Sequence, residues 1–314
     1  MRIVTDCEIN EAVLKDISEI LSDYTIVISK KIKSDIKNPK KEFLKDSNEK
    51  KCRFCKKSYP QVKFDKDAHA IPNFIGNQSL FHKNECDSCN ALFSKYENEL
   101  ANFMLPLNSI YGIKGKKGTP KYKLKGEPII KSEGENQIEI TEAPNSILKQ
   151  NESIDLNLKI PSYIPDYIYR CLIKIGLSLI PESKIVEYER IFNWLISSSQ
   201  KSQISQYAIM SIYPSNFRMD EITCIILEKK NSCLDKYTES ILSISYSNFA
   251  FQTYFPSKFT VEKELKLTGF PYAIPTPLDI NKSVSREFKL IDLNSEVRSV
   301  NESVELEIQN MNLK

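Results

Sequence analysis

Two Cys-x-x-Cys pairs, Cys52-Arg-Phe-Cys55 and Cys86-Asp-Ser-Cys89, constrain this chain more than any other feature in it. In a reducing compartment such pairs bind metal rather than form disulfides. Four thiols complete one tetrahedral zinc site with no open position, so the expected zinc is structural. The 30 residues between Cys55 and Cys86 are too many for a minimal ribbon and must loop out a substructure. That substructure carries both histidines of the chain, His69 and His82. The other cysteines, Cys7, Cys171, Cys224 and Cys233, share no spacing and read as core or surface thiols.

A length of 314 residues suits two domains, or one with extensions, and 41% hydrophobic residues suffice for a core. The net charge of +3 does not by itself imply a nucleic-acid partner. Local charge says more. Lys30 to Lys66 holds 14 Lys/Arg against five acids, and Lys114 to Lys125 holds six lysines and no acid. Basic runs are often only solvated surface, but they can also serve as contacts to backbone phosphates. The start lacks an apolar leader, and no apolar run reaches the ~18 residues that span a bilayer. A cytoplasmic protein with no membrane partner is the expectation.

Along the chain, Ile9, Val13, Leu14, Ile17, Ile20 and Leu21 have helical spacing, and Tyr24 to Ser29 is β-prone. Residues 30–50 read as a basic linker. A strand pair or an extended run over Val62 to Ile71 ends at Pro72, and Ile75-Gly76-Asn77-Gln78 signals a turn. From Asn90 to Leu105, Leu92, Phe93, Tyr96, Leu100, Phe103 and Met104 mark a helix. Residues 111–134 contain five of the eight glycines and read as a flexible or hairpin-like basic loop. Alternation over 136–160 predicts strands. Pro165 to Leu179 predicts a helix, Pro181 to Leu195 a second, and 206–256 four strands. Three segments follow: an N-terminal helix, strand and basic linker over 1–50, the motif module over 51–130, and an α+β region over 131–314 for recognition or dimerisation.

His69 has the titration range of a general base. Asn90, anchored by Cys89, offers a hard amide oxygen to a divalent ion, or alternatively caps the helix. Glu97, two turns on, shares its face. For His82, an exposed loop position is favoured over a metal or phosphate contact. Tyr111 and Tyr122 fit packing better than base stacking.

The order Cys-x-x-Cys, Ala68-His69-Ala70-Ile71-Pro72, Cys86-x-x-Cys89-Asn90 resembles the HNH endonucleases of the ββα-metal (His-Me finger) superfamily, in particular bacterial members with a zinc knuckle. The strong match spans roughly residues 50–105. The resemblance implies a zinc-stapled ββα-metal module; with the C-terminal α+β domain that the helix and strand patterns predict after it, the expected fold class is α+β. It implies phosphodiester hydrolysis with one Mg2+ or Mn2+ ion, His69 as base and Asn90 as ligand. Two positions depart from the pattern. Many members carry an acid directly before the histidine, where this chain has Ala68. Glu97, or less favourably Asp67, is the substitute carboxylate. The asparagine that orients the histidine has its best candidate in Asn77, with Asn84 and His82 behind it. Lys114, Lys116, Lys117, Lys121 and Lys123 are the expected phosphate contacts.

The leading expectation is therefore a DNA endonuclease, with RNA as a further substrate class. Analogy extends it to a restriction or anti-phage effector, with a homodimer and a regulatory partner through the C-terminal half. A non-catalytic, zinc-stabilised nucleic-acid-binding protein on a degenerate HNH fold is the alternative. No phosphate-binding loop or dinucleotide motif is present.

Overall fold

The computed structural model describes residues 10–34, 39–46, 49–134, 137–141, 148–150, 153–197, 206–230, 240–256, 273–281 and 283–308. Ile9 and the thiols Cys7 and Cys233 lie outside these residues. The fold is α+β, as expected, with 30% helix and 35% strand.

Helix α1 (Glu11–Asp23) starts at Asn10, whose side chain accepts from the Val13 amide at 3.3 Å. It leads directly into β1 (Tyr24–Lys33). Part of the expected linker is a short strand, β2 (Glu42–Leu44). The expected extended run over Val62 to Ile71 narrows to β3 (Ala68–His69). A 3-10 turn over Asn73–Ile75 leads to β4 (Leu80–His82). Strand β4 pairs antiparallel with β3 and parallel with β2. Helix α2 (Asp87–Ile110) runs past Pro106. Downstream lie β5 (Ile129–Gly134), β6 (Gln137–Thr141), β7 (Leu148–Gln150) and β8 (Ser153–Lys159). The expected second helix begins as a 3-10 turn over Glu182–Tyr188 and becomes α-helical only over Glu189–Ile196, as α4.

Helix α3 (Pro165–Leu179) opens on proline, whose fixed φ suits the first helical position. Nearly all of it is buried, so it is a central element rather than an amphipathic surface helix. The close approach requires a glycine. A Cβ on Gly176 would stand 2.5 Å from the Phe255 ring.

The large sheet comprises β9 (Tyr207–Ile212), β10 (Met219–Lys229), β11 (Ser240–Ser247), β12 (Phe249–Tyr254) and β13 (Glu287–Asp292), with β1 added at one edge. Its order is β1-β10-β11-β12-β9-β13, and every pairing is antiparallel. A last strand, β14 (Ser303–Ile308), pairs with β8. Both faces of β11 and β12 are buried. Leu242, Ile244, Phe249 and Phe251 belong to the main core. Polar Gln252 is satisfied by the Ile274 carbonyl at 2.7 Å and amide at 3.0 Å.

One contiguous core joins Phe54 of the knuckle, Phe93 and Leu100 of α2, Leu172 and Ile175 of α3, Phe192 of α4, and Ile226 and Ile244 of the sheet. Sequence boundaries at 50 and 130 mark changes of composition, while this core and the β1–β10 pairing cross both. Among the described residues no helix is long and apolar enough to cross a membrane.

Candidate active site

The site is assembled on the thiol cluster. Cys52 and Cys55 lie in a turn closed by the Lys56 amide on the Cys52 carbonyl at 3.0 Å. Cys86 is the N-cap of α2 and Cys89 lies in its first turn. The sulfurs pair at 3.8 Å for Cys52–Cys89 and 3.8 Å for Cys55–Cys86, and all four lie within 4.8 Å of one another. A tetrahedron of ~2.3 Å zinc–sulfur bonds has an edge of about 3.8 Å. Donor set and spacing both fit zinc. Without a cation the sulfurs compete for one negative charge. Hydrogen bonding from Cys52 holds Cys86 down near about 2, while Cys52 is pushed up to about 12 and Cys89 well above the usual thiol range. A dication relieves that repulsion by favouring thiolate at every position.

His69 ends the two-residue strand β3, opposite Phe81 of β4. Its half-buried ring rests against the Phe81 ring with centroids 4.5 Å apart. Burial, then the charges of Lys174 and Lys116, lower its pKa to about 4. The imidazole is therefore neutral at neutral pH, the form a general base requires.

The β3–β4 connection is held by Asn77, which is fully buried. Its amide nitrogen donates to the carbonyls of Ile71 at 2.6 Å and Leu80 at 2.9 Å. Its oxygen accepts from the amides of Leu80 at 2.8 Å and Ser79 at 3.2 Å. Asn77 thus fixes the loop behind His69 through backbone contacts. The turn beside it needs glycine: Gly76 sits at φ +107°. Replacing Asn77 by alanine strands buried backbone groups. At about 1 kcal/mol per hydrogen bond, a loss of roughly 2–4 kcal/mol in unfolding free energy is expected, read from urea curves.

Asn90 lies in the first turn of α2, half-buried, with its amide on the Cys86 carbonyl at 2.9 Å. Cys86 occupies the capping position, so Asn90 does not cap the helix. Among the described residues no hydrogen bond engages the Asn90 carboxamide. Both candidate carboxylates stand in ion pairs. Glu97 faces Lys174 at 3.5 Å, and burial raises its pKa. Asp67 is exposed and bonded to Lys41 at 2.7 Å, which lowers its pKa. Ala68, at the family's acidic position, is completely buried.

His82 is not the exposed loop residue expected. It is buried in β4, where Nδ1 accepts from the Asn84 amide at 3.1 Å and Nε2 lies 3.3 Å from Arg53. Burial and then the Arg53 charge depress its pKa to about 3. An unfolded histidine protonates near 6.5. Stability from the neutral ring is whole above that pH and is lost as pH falls toward the folded value. Relative to His82→Gln, the wild type should lose about 1.4 kcal/mol per pH unit across this window, read from urea curves at each pH. Asn84, another candidate, ties the knuckle together through the carbonyls of Glu49 and Lys51 at 3.1 and 3.2 Å.

Lys114, Lys116, Lys117, Lys121 and Lys123 are exposed. A bridge between Gly115 and Gly118 folds the first three into a hairpin packed on Asn73 and Phe74. This packing brings Lys116 close enough to influence His69. Tyr122 is buried, with its hydroxyl on the Lys159 carbonyl at 2.9 Å, and Tyr111 packs on Phe249. Neither presents a stacking face.

Sequence reasoning missed two cations. Arg53, inside the first Cys-x-x-Cys, bonds Asp46 and the carbonyls of Leu177, at 2.9 Å, and Ile180. It thereby joins the knuckle to the end of α3. Lys174 is fully buried between Glu85 and Glu97 and donates to the His69 carbonyl. A signal for Lys174 existed, because it lies on the apolar face defined by Cys171 and Ile175.

No curated protein and no solved structure matches the chain. Residues 52–102, which hold the four cysteines, His69, Asn77, Asn90 and Glu97, match the family model of the HNH endonucleases.

Proposed function

We propose that this chain is a metal-dependent endonuclease that hydrolyses DNA phosphodiester bonds. The observation that carries this reading is a neutral, half-exposed His69 mounted on the β3–β4 hairpin of a module matching HNH endonucleases. In the proposed reaction His69 takes a proton from water, whose oxygen forms a bond to phosphorus as the bond to the leaving sugar oxygen breaks. A bound Mg2+ or Mn2+ supplies charge stabilisation at the phosphate and leaving oxygen. Asn90, with its carboxamide uncommitted, would hold that ion in part. Asn77 keeps the loop in place. Lys114, Lys116, Lys117, Lys121 and Lys123 would bind backbone phosphates without base readout. Zinc at Cys52, Cys55, Cys86 and Cys89 is structural. A homodimer, control by a partner through residues 131–314 and a role in restriction or anti-phage defence belong to the same proposal, in the cytoplasm where thiols stay reduced.

A second reading, a nucleic-acid-binding protein without cleavage, is favoured by one observation. Ala68 replaces the acid, and both Asp67 and Glu97 are occupied by lysines. Supercoiled plasmid incubated with the chain and Mg2+ or Mn2+, beside His69→Ala and an EDTA control, separates the two. Nicking by wild type alone supports the endonuclease. Retention of plasmid in a gel shift with no nicking supports binding alone. A labelled RNA run in parallel tests the other substrate class.

A further inference from the structure

We propose that Lys174, on helix α3 and outside the family-matched segment, is a positioning residue for His69: its ammonium clamps the His69 carbonyl to α2 and to the knuckle. The activity part of this proposal rests on the endonuclease reading above.

Lysine carries three donors and no acceptor, and a buried ammonium is tolerated only when those donors find partners. Lys174 is 1% exposed. Its Nζ donates to the His69 carbonyl at 2.5 Å, faces Glu97 Oε1 at 3.5 Å and faces Glu85 Oε2 at 3.6 Å. The Phe93 ring lies 5.8 Å beneath it. Three separate elements therefore converge on one cation. His69 belongs to the base strand, Glu97 to α2 two turns from Asn90, and Glu85 to the residue before Cys86. The Glu85 carboxylate is fully buried and, among the described residues, no hydrogen bond reaches either of its oxygens, so the lysine charge is its compensation.

Strand β3 is only two residues long and pairs on one side alone, with β4. The two-residue ladder leaves the His69 carbonyl dependent on this donor. Removing the donor frees the end of β3, and with it the ring that rests on Phe81. Burial disfavours the charged lysine, and the facing carboxylates of Glu85 and Glu97 at 3.6 and 3.5 Å favour it. The module thus borrows part of its site from α3, through a residue that neither binds the ion nor transfers a proton.

The test uses the full chain loaded with zinc. Lys174→Met alone strands two carboxylates in the core, so Lys174→Met/Glu85→Gln is made beside it to remove the fully buried charge. Two readouts are taken: kcat and KM for plasmid nicking, and the imidazole signals of histidine-labelled protein. The chain has two histidines, and His69→Ala assigns them. In the folded double variant kcat should fall about a hundredfold, the scale for a displaced catalytic group. KM should stay within about threefold, and the His69 signals should move while those of His82 stay. A folded variant with wild-type kcat, or with unmoved His69 signals, overturns the proposal. If the wild type itself does not nick, the endonuclease reading fails, and the His69 signals alone decide the role of Lys174.

Discussion

Cys86→Ser should abolish zinc binding and unfold the HNH module. Structural zinc sites contribute about 10–16 kcal/mol of folding free energy in small modules. That is comparable to the whole ~5–15 kcal/mol by which a domain is stable. Cys86 is also the most consequential of the four. Its sulfur pairs with Cys55 at 3.8 Å, its amide points at the Cys52 sulfur at 3.5 Å, and it is the residue from which α2 starts. Losing it releases the helix that carries Asn90 and Glu97, and the turn that carries Arg53. The main core includes Cys52, Phe54 and Phe93 of this module, so unfolding should propagate to α3. Metal analysis should find about one zinc per wild-type chain and almost none in the variant. Its thermal transition should broaden or split. Cys224→Ala, a buried thiol of β10 away from the cluster, should keep its zinc. Full zinc content in Cys86→Ser would remove the four-thiolate site from the structure's logic.

His69→Ala should lower the nicking rate by about 10²–10⁴-fold, the usual contribution of a positioned proton acceptor, while plasmid binding and zinc content hold. The pH dependence carries a sign that follows from the site. A base must be deprotonated to act, and burial with two nearby lysines brings the His69 pKa to about 4. The acid limb of the rate profile should therefore fall below 6.5, the ordinary histidine value, with its midpoint between that and about 4. Bound phosphates favour the protonated ring and would draw the midpoint upward within this window. Rates at saturating plasmid from pH 4 to 8 measure it. A midpoint well above 6.5 would identify a different titrating group as the base.

What could be read in the chain and what could not divide along the range of the interactions. Local signals were reliable. Pro165 and the spacing of Ile168, Cys171, Leu172, Ile175 and Leu179 define α3 with its observed ends. The strands over 206–256 follow from their β-branched runs. The spacing of four thiols locates a metal site, because tetrahedral zinc accepts few geometries. Asn77 was the preferred candidate for orienting the histidine, and its four side-chain hydrogen bonds go to backbone groups of the β3–β4 connection. Non-local facts had no such signal. Nothing in Tyr24 to Lys33 states that its partner lies about 200 residues away in β10. His82 looked like a polar loop residue because its partner Arg53 comes from the first Cys-x-x-Cys turn, far back in the chain.

The sequence by itself determined that four cysteines would gather in a cluster whose donors suit zinc, with His69 in the segment between the two pairs and an α+β region after it. Ligand identity and residue spacing decide those things within a few turns of chain. Only the tertiary structure decided which charges survive burial. Glu97, and less favourably Asp67, were the candidate carboxylates on paper. Folding placed Lys41 on Asp67 at the surface and Lys174 on Glu97 in the core. A charge in a low-dielectric interior depends on partners that arrive from anywhere in the chain, and no local pattern encodes them.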